Sequence, residues 1–587
     1  MNVIPLTVRL AIATLAIASL SQASAQEADR KMEDFFKQYL EEHFQMQPLR
    51  ATWLGDHRFD HLLDDVSPAA RGRWLAHART TLDELPKKVD YSALSRAGQI
   101  DFEIFKHDLE TTIWLTENRH PFEEDPRTYV GYINDGVYVL LTRSTLPKET
   151  NIANCIARMG QIPRVVAAAK ANLTSPPKAI LETAIRQNRG MISFYDKEIF
   201  ELARETTQIE ALKRSAATVV ALLKDYGAFL EGDLMSRATG EWRLGKEKFG
   251  RQQELELDAG MTADQVFADA QTEFERVRRD MYVIARQLWS EYFPKRPLPP
   301  DDAIGRRATI RQVIDAIGQE HGRPDELIRD ARSTVDRIKT FIREHDILRL
   351  PDPDRCQVIE MPKFRRGNAA AYLDSAAPLD PLAESFYAIS PPDGDAKYVE
   401  TFLQEYNPRM LQILTIHEAY PGHYVQFEYA NRTSSLVRRV LASGVFAEGW
   451  AVYTEQMMLD QGYGNGDLRL RLMQLKFYLR AVANAIIAHQ MHYTDSSDGS
   501  VLGFLMEEAF QSEAEASAKI VRVKQSSTQL STYFVGRMAL YRLRQQVERE
   551  MGDNFDLGRY HEAVISEGTV PVKYLPELVR ARLKQPR

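Results

Sequence analysis

Cysteine is scarce in this chain of 587 residues, which contains Cys155 and Cys356 and no other thiol. Two thiols 201 positions apart exclude a cysteine-based zinc motif, because such motifs need closely spaced ligand pairs. One disulfide that closes a long loop and two unpaired buried thiols are both compatible with the sequence. The cysteine count therefore leaves the pairing of these two residues open.

The chain also lacks a large excess of one charge and, after residue 25, any long apolar run. Its formal net charge is -7, with 44% hydrophobic and 27% charged residues spread along the sequence. Such a surface gives no electrostatic reason to expect nucleic acid or an anionic membrane as a partner. No later stretch reaches the roughly 20 apolar residues of a membrane-spanning helix, so we expect no stable membrane insertion.

The first 25 residues have the composition of an export signal. Arg9 ends a short, weakly basic start, residues 10–20 are apolar, and residues 23–25 (Ala-Ser-Ala) offer a small-residue cleavage site. An uncleaved anchor is the alternative, and the absence of a cysteine at the cleavage site argues against a lipid anchor. We therefore predict a signal peptide over residues 1–25 and a bacterial protein that is periplasmic or secreted.

Most of the remaining sequence has helical periodicity, with apolar residues three and four positions apart and Pro or Gly between the runs. Residues 357–361 and 384–389 differ, because they are short, bounded by Pro and Asp, and rich in β-branched or aromatic residues. We predict a mainly α fold with two helical lobes around a cleft, residues 26–250 and a catalytic lobe over residues 251–587. A small β-sheet should lie next to the active-site helix.

The most informative motif is HEAYPGH, from His417 to His423. Imidazole is a good zinc ligand, and an adjacent carboxylate can take a proton from metal-activated water. The common metalloprotease motif has its histidines four positions apart, whereas this chain has Pro421 at that position. Residues six apart on a regular helix diverge by about 120°. We predict that Pro421 and Gly422 break the helix and bring His423 back beside His417.

Two histidines leave a catalytic zinc ion one protein ligand short. Glu448, 31 residues after His417, is the best candidate, because an unpaired carboxylate among its apolar neighbours would be costly. Glu455 lies on the same helix face and is predicted to accept a hydrogen bond from a ligand histidine. Glu418 is then the general base. The alternative is a helix that ends at Tyr420 before a Pro-Gly turn, with the polar residues close together by chance.

Negative charge that develops in a transition state needs hydrogen-bond donors besides the metal. Tyr533 and His492 are the candidates, since each is a donor within an apolar helical segment. Tyr533 could instead pack with its hydroxyl at the surface, and His492 could belong with His489 to a polar helix face. We predict both as catalytic residues and leave these structural alternatives open.

Three segments resemble the hallmark blocks of the bacterial family called "domain of unknown function 885": HEAYPGHYVQ, AEGWAVYTE and QLSTYFVG. The similarity covers most of the chain after the signal segment, including residues 48–55 and 560–564. Many members of that family are exported or lipid-anchored. The resemblance implies a relationship to the zincin-like metallopeptidases of the gluzincin type, and hence a zincin-like fold.

The same resemblance implies a role for each residue that matches the blocks. His417, His423 and Glu448 correspond to metal-binding positions, and Glu418 corresponds to the catalytic carboxylate. Tyr533 begins the late Tyr-x-x-Gly of the family. These assignments coincide with those made from the chemistry of the residues.

We therefore predict an exported zinc metallohydrolase with one Zn²⁺ ion per chain, foremost a peptidase that hydrolyses short peptides. One alternative is a catalytically silent exported protein that binds a peptide or an envelope partner. Another is a metal-dependent hydrolase of non-peptide amides or esters. The sequence does not define the substrate, cleavage from an end or internally, the metal beyond zinc as the default, or the oligomeric state.

Overall fold

The computed structural model describes residues 6–361 and 370–585, with side chains from residue 24 onward. Residues 1–5 of the predicted signal peptide lie outside the described residues, and residues 6–25 belong to the first helix. Cleavage after residue 25 stays a prediction. No helix within the described ranges combines the length and apolar character that crossing a membrane requires.

The first thirteen helices precede residue 258, and short π-helical turns at 131–135, 194–198 and 230–234 continue three of them. Ser67 and Ser95 cap the third and fourth helices, because each hydroxyl accepts a hydrogen bond from a free backbone N–H of the first turn. The helices are α1 (Leu6–Met46), α2 (Pro48–Leu54), α3 (Pro68–Lys88), α4 (Arg96–Asn118), α5 (Pro121–Glu124), α6 (Thr128–Val130), α7 (Gly136–Thr142), α8 (Lys148–Met159), α9 (Ile162–Asn172), α10 (Lys178–Ser193), α11 (Ile199–Ala203), α12 (Ile209–Phe229) and α13 (Gly245–Leu257).

The second half of the chain contains the longest interior helices. Thr262 and Gln265 form a reciprocal capping box at the start of the first of them. The helices are α14 (Ala263–Tyr292), α15 (Ala303–Gly318), α16 (Leu327–Glu344), α17 (Ala396–Glu405), α18 (Pro408–Glu418), α19 (His423–Ala430), α20 (Leu436–Val440), α21 (Gly444–Asp460), α22 (Leu468–His492), α23 (Asp498–Gly503), α24 (Glu513–Ser526), α25 (Thr532–Met551), α26 (Leu557–Ile565) and α27 (Leu575–Leu583).

A three-stranded sheet separates α16 from α17. Its strands β1 (Cys356–Glu360), β2 (Ala371–Asp374) and β3 (Ser385–Ile389) lie in the order β1-β3-β2, with β1 parallel and β2 antiparallel to β3. The two predicted strands are confirmed, whereas β2 was not predicted. The Tyr387 hydroxyl lies 3.1 Å from that of Thr415 on α18, so the sheet is next to the motif helix as predicted.

Buried apolar side chains form two large clusters among the described residues. The smaller cluster lies within residues 49–234, and the larger joins residues 32–109 to residues 249–579. The mainly α prediction is confirmed, and the lobe boundary near residue 250 stays a prediction. Both thiols are free: Cys155 is buried in the smaller cluster, and Cys356 packs against the larger one.

Helices α21 and α25 approach each other closely at a pair of glycines. A Cβ atom on Gly449 would lie 2.3 Å from the carbonyl carbon of Gly536, and a Cβ on Gly536 would lie 1.9 Å from the Val445 carbonyl oxygen. Because these neighbours are backbone atoms, no rotamer change could make room. The contact fixes the helix that carries Glu448 against the helix that carries Tyr533.

We predict that Gly449→Ala lowers the free energy of unfolding by about 1–3 kcal/mol, because overpacking forces the two backbones apart. Urea denaturation of the full chain measures this change. Gly444→Ala on the same helix is the matched control, since a Cβ there meets nothing within 4 Å. Equal stability of the two variants would contradict the role assigned to the glycine contact.

Candidate metal centre

The HEAYPGH motif spans the junction between α18 and α19. Helix α18 ends at Glu418, and α19 begins at His423. A Cβ atom on Gly422 would lie 1.9 Å from the His417 carbonyl oxygen, so the chain can follow this path only with glycine at that position. The predicted helix break is confirmed, and it places the two imidazole rings with their centroids 4.8 Å apart.

The two imidazoles and the Glu448 carboxylate converge on one point. Glu448 Oε2 lies 3.7 Å from His417 Nε2 and 3.5 Å from His423 Nε2, and the three donor atoms lie within 4.8 Å of one another. Two donors bound to one tetrahedral zinc ion are about 3.3–3.6 Å apart, which is close to the two distances to Glu448. Within residues 6–361 and 370–585, no other three His, Cys, Asp or Glu side chains form such a group.

Among the residues that the structure describes, none forms a hydrogen bond with the buried Oε2 atom of Glu448. Burial raises the pKa of this carboxyl, but the neighbouring His417 and His423 outweigh that effect and hold the pKa well below its usual range. The Trp450 indole, two residues further along α21, donates a 2.9 Å hydrogen bond to the Pro421 carbonyl oxygen and ties α21 to the motif. An unpartnered carboxylate oxygen facing two imidazoles fits a divalent cation.

Glu455 orients the first of the two imidazoles. His417 Nδ1 donates to Glu455 Oε1 at 2.7 Å, which leaves Nε2 to face Glu448, so the hydrogen bond predicted for Glu455 is confirmed. Glu455 is fully buried, and burial raises its pKa to about 7 although His417 and Arg537 act in the opposite direction. Burial lowers the pKa of His417, but Glu448 and Glu455 outweigh it and raise that pKa to about 10. A bound cation would replace this imidazole proton.

Glu418 lies at the end of α18, next to His417 in the sequence and half-buried. Its Oε2 atom accepts a 2.9 Å hydrogen bond from the backbone N–H of Leu373 on β2. Burial raises the pKa of Glu418 above its usual range, although the charges of His417 and His423 act in the opposite direction. The result is a carboxyl group held by the sheet and able to accept a proton near the metal ligands.

Tyr533 lies at the start of α25, on the side of the site that faces α24. Its hydroxyl accepts hydrogen bonds from Arg522 Nη2 at 3.0 Å and from the Gln529 side-chain amide at 3.4 Å. Burial raises the Tyr533 pKa to about 12, and the nearby charge of Glu448 adds to that shift. Sequence reasoning missed both partners of Tyr533: Arg522 lies outside the blocks that we identified, and Gln529 opens the QLSTYFVG block without a chemistry that marks it as a partner.

The structure does not bring His492 to this group. On α22, the ring of Phe477 lies 5.8 Å from that of His417. His492 lies fifteen residues further along the same helix. Fifteen residues of helix span about 22 Å. His492 Nε2 donates to the Val523 carbonyl oxygen at 2.9 Å, and its ring stacks on Phe249 at 5.5 Å. A structural role therefore replaces the catalytic role that we predicted.

These observations define a mainly helical bacterial protein with a two-histidine, one-glutamate site. The chain belongs to the family of bacterial proteins of unknown function DUF885, whose profile matches residues 48–579. This confirms the resemblance found in the sequence, whereas the relationship to zincin-like metallopeptidases stays a prediction. Comparison with curated protein sequences gives no match.

Two solved structures are similar to this one over nearly their whole length. A protein from Shewanella oneidensis, described as a lipoprotein of unknown function, shares 29% identity at a TM-score of 0.79, with 94% of this chain and 99% of that chain covered. A protein from Colwellia psychrerythraea, also described as a lipoprotein, shares 18% identity at a TM-score of 0.78, with 95% and 99% covered. The second likeness concerns the fold alone.

We predict that the purified protein binds one equivalent of Zn²⁺ and that His423→Ala removes stoichiometric binding, because two donors then remain. Glu455→Ala should weaken the affinity about 10- to 100-fold by releasing the His417 ring. Elemental analysis and competition with a zinc chelator measure both effects. His492→Ala is the control and should bind zinc like the unaltered protein; equal zinc loss in that variant would contradict the assigned ligand set.

Proposed function

We propose that this protein is a zinc-dependent hydrolase that cleaves peptides, with one ion held by His417, His423 and Glu448. The convergence of these three donors next to the Glu418 carboxyl is the observation that carries the proposal. When bound, Zn²⁺ acts as a Lewis acid that polarises a carbonyl group and makes a neighbouring water more acidic. His417, His423 and Glu448 would supply three ligands rather than the four of a closed structural site, which would leave the ion accessible to substrate.

Glu418 carries the proton in this scheme. Its Oε2 atom is held by the Leu373 N–H, which leaves the other carboxylate oxygen to take a proton from the attacking water. The oxygen of that water adds to the carbonyl carbon, and Glu418 then passes the proton to the leaving nitrogen as the C–N bond breaks. The raised pKa of Glu418 suits both transfers.

Tyr533 is the hydrogen-bond donor that we assign to the negative charge on the former carbonyl oxygen. With a pKa of about 12, its hydroxyl keeps its proton at neutral pH. Arg522 already donates to the hydroxyl oxygen, so the phenolic proton is directed away from the guanidinium. This arrangement leaves the proton available for a substrate oxygen.

The bacterial cell envelope is the location that we propose for this activity. The signal peptide predicted over residues 1–25 supports export, and the solved structures from Shewanella oneidensis and Colwellia psychrerythraea are of proteins described as lipoproteins. This chain has no cysteine at the predicted cleavage site, so we propose a periplasmic or secreted form rather than a lipid-anchored one.

We predict that Glu418→Gln keeps one equivalent of zinc and loses hydrolysis of a peptide library about 10²- to 10⁴-fold, because the amide cannot accept the proton. Mass spectrometry of the digest and elemental analysis measure the two quantities. Glu428→Gln on α19 is the matched control, since Glu428 lies 3.6 Å from Arg432 and is not among the three donors.

Near-normal hydrolysis by Glu418→Gln would contradict the assignment of Glu418 as the general base. A zinc-loaded protein that leaves every peptide intact but cleaves aryl amides or esters would replace the peptidase proposal with the second hydrolase alternative. A protein that binds no zinc and cleaves nothing would favour the silent binding protein.

A further inference from the structure

One face of α24 carries a row of charged side chains beside the metal centre. Glu515, Lys519 and Arg522 are four and three positions apart, so they lie on the same side of the helix. Helix α24 packs against α22, the helix that carries Phe477. The row therefore lies on a helix that packs beside α22.

Lys519 is 6% exposed, and its ammonium forms no hydrogen bond or ion pair with any residue that the structure describes. A buried charge without a partner is costly. Burial lowers the pKa of Lys519 well below its usual range. The nearby positive charges of Arg480 and Arg522 act in the same direction, and the charge of Glu515 opposes them. An anion that entered beside Lys519 would remove this cost.

Arg522 is half-buried, and its described hydrogen-bond acceptors are uncharged. Nη2 donates to Gln529 Oε1 at 2.8 Å and to the Tyr533 hydroxyl at 3.0 Å, and no described carboxylate forms an ion pair with the guanidinium. The remaining N–H groups are free to bind a carboxylate through two parallel hydrogen bonds. The two basic side chains thus offer unused donors to one anion.

The other basic groups nearby are already neutralised. Arg480 lies 2.6 Å from Glu515, and Lys476 lies 2.6 Å from Glu405. Among the described basic side chains of this region, Lys519 and Arg522 therefore remain without an ion-pair partner. The metal centre has the opposite character, because three carboxyl groups surround its two imidazoles.

Tyr533 and Arg480 relate the basic pair to the metal centre. Tyr533 joins Arg522 to the site, because its hydroxyl binds the guanidinium and its pKa responds to the charge of Glu448. On the other side, the Arg480 guanidinium lies 5.6 Å from the ring centre of Phe477, which contacts His417. A peptide bound at the metal centre would have to extend past Tyr533 to meet the basic pair.

We propose that Lys519 and Arg522 bind the free α-carboxylate at the C terminus of a peptide whose scissile bond lies at the metal centre. This inference rests on the proposed function and narrows it to the release of residues from the C-terminal end. Every linear peptide carries one such carboxylate at a fixed distance from its last amide bonds, so an anion subsite at this place selects the end of the chain.

The test compares three peptides of one sequence with the zinc-loaded protein: one with a free C-terminal carboxylate, one amidated, and one amidated with glutamate as its last residue. The free carboxylate should raise kcat/KM about 10- to 100-fold over both amidated peptides, as expected for charged hydrogen bonds. Mass spectrometry should find products that lack residues from the C terminus. Equal cleavage of all three, or cleavage at internal bonds, would overturn the proposal; preference for the terminal glutamate would assign the subsite to acidic side chains instead.

Two variants locate the effect. Lys519→Met should reduce the preference for the free carboxylate toward one while changing kcat/KM for the amidated peptide by less than about threefold. Arg522→Gln should also lose the preference, and it should lower kcat for the amidated peptide as well, because Arg522 orients the Tyr533 hydroxyl. Lys524→Met on the same helix is the control, because Lys524 pairs with Asp498 and should keep the full preference. Lys519→Met should also melt at the same or a higher temperature, since it removes an unpaired buried charge. If Lys519 had only a structural role, Lys519→Met would not lose the carboxylate preference while keeping its stability.

Binding separates this inference from the proposed function. Calorimetry with zinc-loaded Glu418→Gln should find the free-carboxylate peptide bound about tenfold or more tightly than its amide, with the difference lost in the Arg522→Gln double variant. If the wild-type protein showed this difference in binding but cleaved no peptide, the carboxylate subsite would stand and the proposed hydrolase activity would be wrong. If it cleaved peptides without any preference in rate or binding, the hydrolase activity would stand and the subsite would be wrong. Binding of neither peptide would also contradict the subsite.

Discussion

The close approach of Gly422 to the His417 carbonyl oxygen is the constraint on which the candidate site depends. It ends α18 at Glu418 and starts α19 at His423, so that two histidines six positions apart face the same point. A regular helix would direct them about 120° apart. Helix α21 then brings the Glu448 carboxylate to the two imidazoles. On the same helix, the Trp450 indole donates a hydrogen bond to the Pro421 carbonyl oxygen and holds α21 against the helix break.

The electrostatics of the region follow from burial. Three carboxyl groups and two imidazoles share a largely buried space, where Glu455 accepts a hydrogen bond from His417 and no described residue forms a hydrogen bond with Glu448 Oε2. A cation bound here, as we propose, would coordinate the donor atoms of all three ligands. Beyond Tyr533, the Arg522 guanidinium has no ion-pair partner among the described residues. The peptide with a free C-terminal carboxylate that we propose as substrate would meet both regions.

Much of the fold and of the ligand set could be predicted locally. Helical periodicity identified most helices, and the short β-branched segments identified β1 and β3, because burial of one face leaves a periodic trace in the sequence. The strand β2 was missed, since four residues reading Ala-Tyr-Leu-Asp carry little β signal and depend on pairing with β3. His492 was placed wrongly for a similar reason: its chemistry suits a donor, but α22 carries it about 22 Å beyond the site.

By itself, the sequence determined the mainly helical class, the two histidines with their neighbouring carboxylate, and the need for a kink at Pro421 and Gly422. Those features depend on residue type and short-range spacing, which a single chain displays directly. Only the tertiary structure decided that Glu448 meets both imidazoles, that Leu373 holds Glu418, and that Arg522 lies beside Tyr533. Each of these contacts joins residues on separate elements, and their approach is set by helix packing, for which the linear order contains no local signal.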